Sequence, residues 1–215
     1  MPSRNIVREF ATQGFYHVYN RGEGKINIFS DDQDYRVFLY YLQVYLLPLE
    51  KVLQKYRSLP LRLYCKNMSA EVELLAYCLM PNHFHLLLFQ KPKDGVPKLL
   101  KQLSNAYTLY FNSKYQHTGG LFPGRYKAVT VTNLEQALHL SRYIHLNPMV
   151  SEVIIDIRKY LWSSYNDYLT PNENALTRSQ LILSAFPNSN AYEQFVLDQV
   201  SYGKDLEQLK HLLLD

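Results

Sequence analysis

The sequence has few of the residues that mark secreted or membrane-bound proteins. It contains two cysteines, Cys65 and Cys78, in 215 residues, and their spacing forms neither a CxxC pair nor a disulfide framework. No apolar run approaches the ~20 residues of a membrane span. The N-terminal stretch MPSRNIVREF lacks the apolar core of a signal peptide. We therefore expect a soluble protein in a reducing cytoplasm, with no membrane partner.

Positive charge is concentrated in the middle of the chain. Between residues 91 and 127 there are seven lysines and arginines against one aspartate, whereas residues 151–215 hold five basic and nine acidic side chains. A basic segment of this kind is compatible with a polyanionic partner and equally with an ordinary solvated surface.

The hydrophobic pattern predicts seven elements in the order strand, helix, strand, strand, helix, strand, helix. Asp31 or Asp32 can cap the first helix, and Pro81-Asn82 separates the second and third strands as a hairpin turn. The first six elements give βαββαβ, an α+β ferredoxin-like sandwich with an antiparallel sheet and an added helix after it. Residues 48–70 are expected to be an irregular insertion or a short extra strand.

Two histidines stand one residue apart at the start of the third predicted strand, HFHLLLFQ. Side chains i and i+2 of a strand point to the same face, so His83 and His85 converge while Phe84 faces the other way. Two neutral imidazoles held this way can bind one metal ion, although a third ligand is needed.

The last predicted helix, NLEQALHLSRYIHLNP, offers candidates for that ligand. Asn133 is expected to cap this helix and Pro148 to end it. Tyr143 and Asn147 are four residues apart and share one face. Taken alone, the helix favours structural roles for both, with Tyr143 half-buried and Asn147 in the last turn before Pro148.

Four stretches that occur together in this order resemble the REP-associated tyrosine transposases, which are HUH-type single-tyrosine transposases acting on single-stranded DNA. These stretches are YCLMPNHFHLLL, GRYKAVTV, RYIHLNPMV and WSSYNDYL, and FYHVYNRG near the N-terminus fits the same pattern. The resemblance implies a catalytic domain over residues 1–169, with residues 48–70 as an insertion. Residues 170–215 are then a C-terminal accessory helical segment.

The resemblance also implies roles for individual residues. His83 and His85 match the histidine pair that holds a divalent ion, Mg²⁺ or Mn²⁺. Asn147 matches the polar residue that completes the metal site, and Tyr143 matches the nucleophile. A general base is not assigned; His139 is one candidate, although burial of His139 is the plainer expectation.

The implied reaction is cleavage and rejoining of single-stranded DNA beside a repetitive extragenic palindrome-like hairpin, through a 5′-phosphotyrosine intermediate. The implied protein is bacterial and nucleoid-associated, and either a monomer or a homodimer. Basic side chains are candidates for DNA contacts, with Arg21 near the bases and Lys98, Lys101, Arg125 and Lys127 on backbone phosphates.

Two other functions are compatible with part of the pattern. A non-catalytic single-stranded nucleic-acid-binding module also uses βαββαβ order, but its aromatic sheet motif is missing here. A zinc-dependent hydrolase would explain His83 and His85 but leaves Tyr143 without a role. Tyr107 and Tyr110 are rival nucleophiles whose place on an apolar helix stripe favours core packing.

Overall fold

The centre of the fold is a four-stranded antiparallel sheet. The computed structural model describes residues 9–172 and 175–200, so residues 1–8 of the predicted catalytic domain and 201–215 of the predicted tail lie outside the described part. The strands are β1 (Gly14–Arg21), β2 (Val72–Met80), β3 (His83–Gln90) and β4 (Lys127–Val131), in spatial order β2-β3-β1-β4. This is the strand order of a ferredoxin-like sheet, and the predicted fold class is confirmed.

Eight α-helices surround the sheet in the described residues. They are α1 (Asp32–Leu46), α2 (Leu49–Lys55), α3 (Leu61–Tyr64), α4 (Gly95–Tyr115), α5 (Leu134–Val150), α6 (Tyr165–Leu169), α7 (Gln180–Leu183) and α8 (Ser189–Leu197). In these residues no helix is both long and apolar enough to cross a membrane.

Strand β3 is buried on both faces, which explains its nearly continuous apolar sequence. Phe84, Leu86 and Leu88 point to the core that α1 and α4 cover. Leu87 and Phe89 point to a second core, which α5 and the C-terminal helices cover. The predicted separation of His83 and His85 from Phe84 follows from this alternation and is confirmed.

The motif WSSYNDYL protects the outer edge of β2. Trp162 O accepts a hydrogen bond from Leu79 N (2.9 Å), and Ser164 N donates to Tyr77 O (3.0 Å). Unpaired strand edges invite pairing with other chains, so these bonds close one side of the sheet.

Two expectations from the sequence are wrong. Residues 48–70 form the short helices α2 and α3 instead of an irregular segment or strand. Helix α5 does not end at Pro148 but continues to Val150, and Ser151 N still donates to Asn147 O (3.0 Å). Proline removes one N–H donor, here the bond back to Ile144, and the buried position of Pro148 on the helix outweighs that loss. Helix α5 begins as expected, with Asn133 Oδ1 accepting from Gln136 N (2.9 Å).

Candidate active site

Two neighbouring strands direct polar side chains to the face of the sheet that α5 crosses. In the antiparallel pairing of β1 with β3, Arg21 lies opposite His83 and Tyr19 lies opposite His85. Directly opposite residues share a face, so these four side chains lie together. Helix α5 adds Tyr143 and Asn147 from above.

The predicted catalytic and metal residues therefore line one cavity of about 520 Å³. The rings of His83 and His85 are 5.0 Å apart between centroids and nearly perpendicular, and the ring of Tyr143 meets that of His85 edge-on at 5.5 Å. Asn147 lines the same cavity. The two histidines come from β3 and the other two residues from α5, and the fold brings these two elements, which are far apart in sequence, together at the cavity.

Second partners orient both histidines. His83 Nδ1 is 2.7 Å from Asn82 Oδ1, and Asn82 Nδ2 donates to Lys25 O (3.4 Å). Since the Asn82 oxygen can only accept, His83 Nδ1 carries the proton in this bond. His85 Nδ1 is 2.9 Å from Nε2 of His17 on β1.

Burial keeps His17 and His85 neutral near pH 7. It lowers the pKa of His17 to about 4. Burial also lowers the pKa of His85 well below its usual value, and the nearby His17, His83 and Arg21 lower it further. Neutral imidazoles have the lone pair that a metal ligand needs.

The chemistry of the donor set fits a divalent ion. Asn147 is only 7% exposed, and its side-chain amide has no hydrogen-bond partner among residues 9–172 and 175–200. Over the same residues, no three His, Cys, Asp or Glu side chains form a metal cluster, and the candidate for a third ligand beside His83 and His85 is the amide of Asn147, which lines the same cavity. Imidazole nitrogens with an amide oxygen suit Mn²⁺ somewhat better than Mg²⁺.

The cavity is electropositive. Arg21, Lys25 and Lys127 line it, and no carboxylate does so in the described part of the chain. His85 is buried in the cavity, at 5% exposed, whereas Tyr143 is 45% exposed at its mouth. An anion that enters the cavity would therefore lie among Tyr143 and these three cations.

The predicted DNA-contact residues separate into two groups. Arg21 and Lys127 line the cavity. Arg125 does not line it; this exposed residue lies in the loop before β4, between the cavity-lining Pro123 and Lys127. Lys98 and Lys101 lie on α4, which packs on the opposite face of the sheet, and Lys98 is paired with Asp94 at 2.8 Å. The fold does not bring these two lysines to the site.

Other candidates lie away from the cavity. His139 is neither buried nor directed at Tyr143; its Nδ1 contacts Arg142 Nη2 (2.6 Å) and its ring meets Phe195. Tyr107 is fully buried with its hydroxyl donating to Ile28 O, and Tyr110 donates to Asp34. Core packing of these two tyrosines is confirmed.

The sequence reasoning missed two residues of β1, His17 and Tyr19. Both belong to the alternating stretch FYHVYNR, on the same face as Arg21. Tyr19 lines the cavity. Burial, followed by the proximity of Tyr143, raises the pKa of Tyr19. The alternation was a signal for both residues, but which residues of β3 they face depends on the register of the two strands.

One protein family and two solved structures are similar to this chain. The family described as IS200-like transposase matches residues 49–147. A REP-associated tyrosine transposase solved with a REP hairpin bound shares 13% identity, with a TM-score of 0.51 over 77% of this chain and 84% of that one. A candidate transposase of Deinococcus radiodurans shares 20% identity, with a TM-score of 0.37 over 64% and 93%. No curated protein sequence matches the chain.

The likeness to the hairpin-bound structure shows a common fold. The family match supports a function of the DNA-transposition type, carried out by a DNA-cleaving enzyme. The family resemblance predicted from the motifs is confirmed.

Proposed function

We propose that the protein is a metal-dependent single-stranded DNA endonuclease and strand transferase with Tyr143 as its nucleophile, because residues 49–147 match the family described as IS200-like transposase. The observation that carries the proposal is the contact of the half-exposed Tyr143 ring with His85, 5.5 Å between centroids, in a cavity lined by three cations.

The Tyr143 hydroxyl attacks the phosphorus of a phosphodiester held at the mouth of the cavity. A bond forms between Tyr143 Oη and phosphorus, the bond from phosphorus to O3′ breaks, and the phenolic proton is lost as the 3′-oxygen gains one. The products are a 5′-phosphotyrosine and a 3′-hydroxyl. Since one ester replaces another, the 3′-hydroxyl of a second strand can reverse the step and join strands without ATP.

His83, His85 and Asn147 would hold the divalent ion, either Mg²⁺ or Mn²⁺. When bound, such an ion polarises a phosphoryl oxygen and neutralises charge that develops on it. The protein holds its side of the site ready, because Asn82 and His17 already orient the two imidazoles.

The geometry favours a single strand as the substrate. Two of the proposed ligands, His85 and Asn147, are less than a tenth exposed, and a base-paired duplex would keep its phosphate away from such buried groups. Arg21 and Lys127 can neutralise phosphates at the rim. The related structure was solved with a REP hairpin, so a single strand flanking a hairpin is the substrate to try first.

Replacement of Tyr143 by phenylalanine tests the proposal. The wild-type protein should form a denaturant-resistant adduct with a single-stranded oligonucleotide flanking a hairpin in the presence of Mn²⁺. Tyr143→Phe should abolish the adduct while the affinity for DNA changes less than about threefold, because the hydroxyl has no hydrogen-bond partner among the described residues. Tyr19→Phe is the matched control from the same cavity and should still form the adduct.

Each alternative has its own outcome. Cleavage that continues unchanged in Tyr143→Phe would favour a zinc-dependent hydrolase. Binding without any cleavage by the wild type would favour a non-catalytic nucleic-acid-binding module. Loss of the adduct in Tyr19→Phe but not in Tyr143→Phe would transfer the nucleophile to β1.

A further inference from the structure

A third histidine lies behind the predicted metal-binding pair. His17 is on β1 and lies opposite Leu87 in the register with β3, which makes His85 its diagonal neighbour on the same face. The two rings stack at 5.1 Å between centroids with planes 22° apart, and His17 Nε2 is 2.9 Å from His85 Nδ1.

A single proton lies between these two nitrogens. If His17 Nε2 carried it, neutral His85 would have to bear its own proton on Nε2 and could not use that nitrogen as a ligand. If His85 Nδ1 carries it, the lone pair of His85 lies on Nε2. The contact therefore decides which nitrogen of His85 is able to bind a metal.

His83 shows the same arrangement, and its partner fixes which of its nitrogens carries the proton. Asn82 Oδ1 accepts from His83 Nδ1 at 2.7 Å, which leaves the lone pair of neutral His83 on Nε2. Both histidines of the pair thus have Nδ1 occupied by a second residue, and both would present Nε2.

We propose that His17 is a positioning residue that accepts the Nδ1 proton of His85 and thereby holds His85 in the tautomer that binds the divalent ion. His17 does not itself bind the ion through Nε2, because that nitrogen is occupied by His85. This inference rests on the proposed function, since it gives His17 a purpose only if His85 is a metal ligand.

The tautomers of the metal-free protein provide the first test. Long-range ¹H–¹⁵N correlation NMR on the full chain should show the His85 proton on Nδ1. In His17→Phe the ring remains but the acceptor is lost, so His85 Nδ1–H would be buried without a partner. We expect His85 to change to the Nε2–H form in that variant. A wild-type protein with the His85 proton on Nε2 would overturn the proposal, whatever the enzyme's activity.

Titration with Mn²⁺ provides the second test. Loss of a partner that orients a ligand weakens metal binding about 10- to 100-fold, and we expect this for His17→Phe. His17→Gln retains an acceptor oxygen and should recover most of the affinity. Affinities within about threefold of wild type in His17→Phe would overturn the positioning role.

The two tests separate failure of this inference from failure of the proposed function. If the wild type binds Mn²⁺ and forms the DNA adduct but His17→Phe behaves alike, only the role of His17 is wrong. If the wild type forms no adduct and binds no Mn²⁺, the proposed function fails, and the proposed role of His17 falls with it. If His17→Phe does not fold, the wild-type tautomer and the affinity of His17→Gln still decide.

Discussion

At the scale of single residues, the cavity contains two kinds of side chain. His83 and His85 are held by Asn82 and His17 through short hydrogen bonds. Asn147 and the hydroxyl of Tyr143 have no side-chain hydrogen bond within the described residues. Imidazoles already oriented by neighbours suit metal ligation, and an amide and a hydroxyl without side-chain partners are available to the metal ion and to the substrate, respectively.

Substitutions of Asn147 should move metal affinity in opposite directions. Asn147→Ala removes an oxygen ligand and should weaken Mn²⁺ binding about tenfold, whereas Asn147→Asp adds a carboxylate and should strengthen it. Calorimetric titration with Mn²⁺ measures both. Thermal stability should change little in Asn147→Ala, since no hydrogen bond is lost. A purely structural residue would instead give two destabilised variants with equal metal affinity.

At the scale of one element, α5 carries polar side chains on two sides, one facing the cavity and the other facing the C-terminal helices. Tyr143 and Asn147 face the cavity, and His145 between them faces the C-terminal helices and is fully buried. His145 Nδ1 is 2.8 Å from the Tyr192 hydroxyl on α8, and His145 Nε2 is 2.8 Å from Ser164 Oγ. The Tyr192 hydroxyl in turn donates to Ser141 Oγ (3.1 Å). This network ties the helix that carries Tyr143 to the C-terminal segment.

Removal of the Tyr192 hydroxyl should weaken the hydrogen-bond network between α5 and the C-terminal segment. Tyr192→Phe leaves His145 Nδ1 buried without its partner, which costs about 1–3 kcal/mol in the free energy of unfolding, measurable by urea denaturation. Adduct formation should also slow in this variant, because the position of Tyr143 depends on the packing of α5.

Tyr165→Phe is the control. Its ring is equally buried, but its hydroxyl contacts Glu193, which keeps a bidentate bond from Arg158. The control should lose less than about 1 kcal/mol; equal losses would contradict the role of the network.

At the scale of the whole molecule, the sheet separates two cores. Helices α1 and α4 build a core on one face that contributes no residue to the cavity, and α5 with the C-terminal helices builds the other. The site lies on the second face, between the sheet and α5. Within residues 175–200, Ile182, Tyr192 and Val196 share this second core with Ile144 of α5, so this part of the chain contributes to the packing of α5.

Buried neutral histidine makes the stability of the whole fold sensitive to mild acid. Burial lowers the pKa of His145 to about 3 from its usual 6.5. Between these two pKa values the unfolded chain binds a proton that the folded chain does not. The free energy of unfolding is therefore highest, as far as His145 is concerned, above about pH 6.5, and it decreases as the pH falls below about 6.5.

Urea denaturation at pH 7 and pH 5 measures this effect. The wild type should lose about 2 kcal/mol more than His145→Gln over that interval, because glutamine does not titrate. Comparing the two pH dependences removes the contribution of all other groups and of any constant cost of the substitution. Parallel pH dependences in the two proteins would show that His145 is not held neutral.

Local patterns were enough for the strands and the histidine pair. Two apolar runs with a Pro-Asn turn between them predicted the hairpin of β2 and β3, and the two-residue period of a strand set His83 and His85 against Phe84. The capping of α5 by Asn133 was equally readable, and the cap of α1 was predicted as Asp31 or Asp32, of which the structure uses Asp31. These features depend on dihedral preferences and hydrogen bonds within a few residues, so the sequence by itself determined them.

Only the tertiary structure decided which distant residues meet. The register of β1 with β3 places His17 beside His85. The packing of α5 on the second core allows the helix to continue past Pro148 and directs Tyr143 toward the cavity. It also places Lys98 and Lys101 on the wrong face for the site. Each of these outcomes depends on contacts between segments that are remote in the chain. There the free energy gained by burial outweighs local conformational preference, and a single stretch of sequence does not show which of the two is larger.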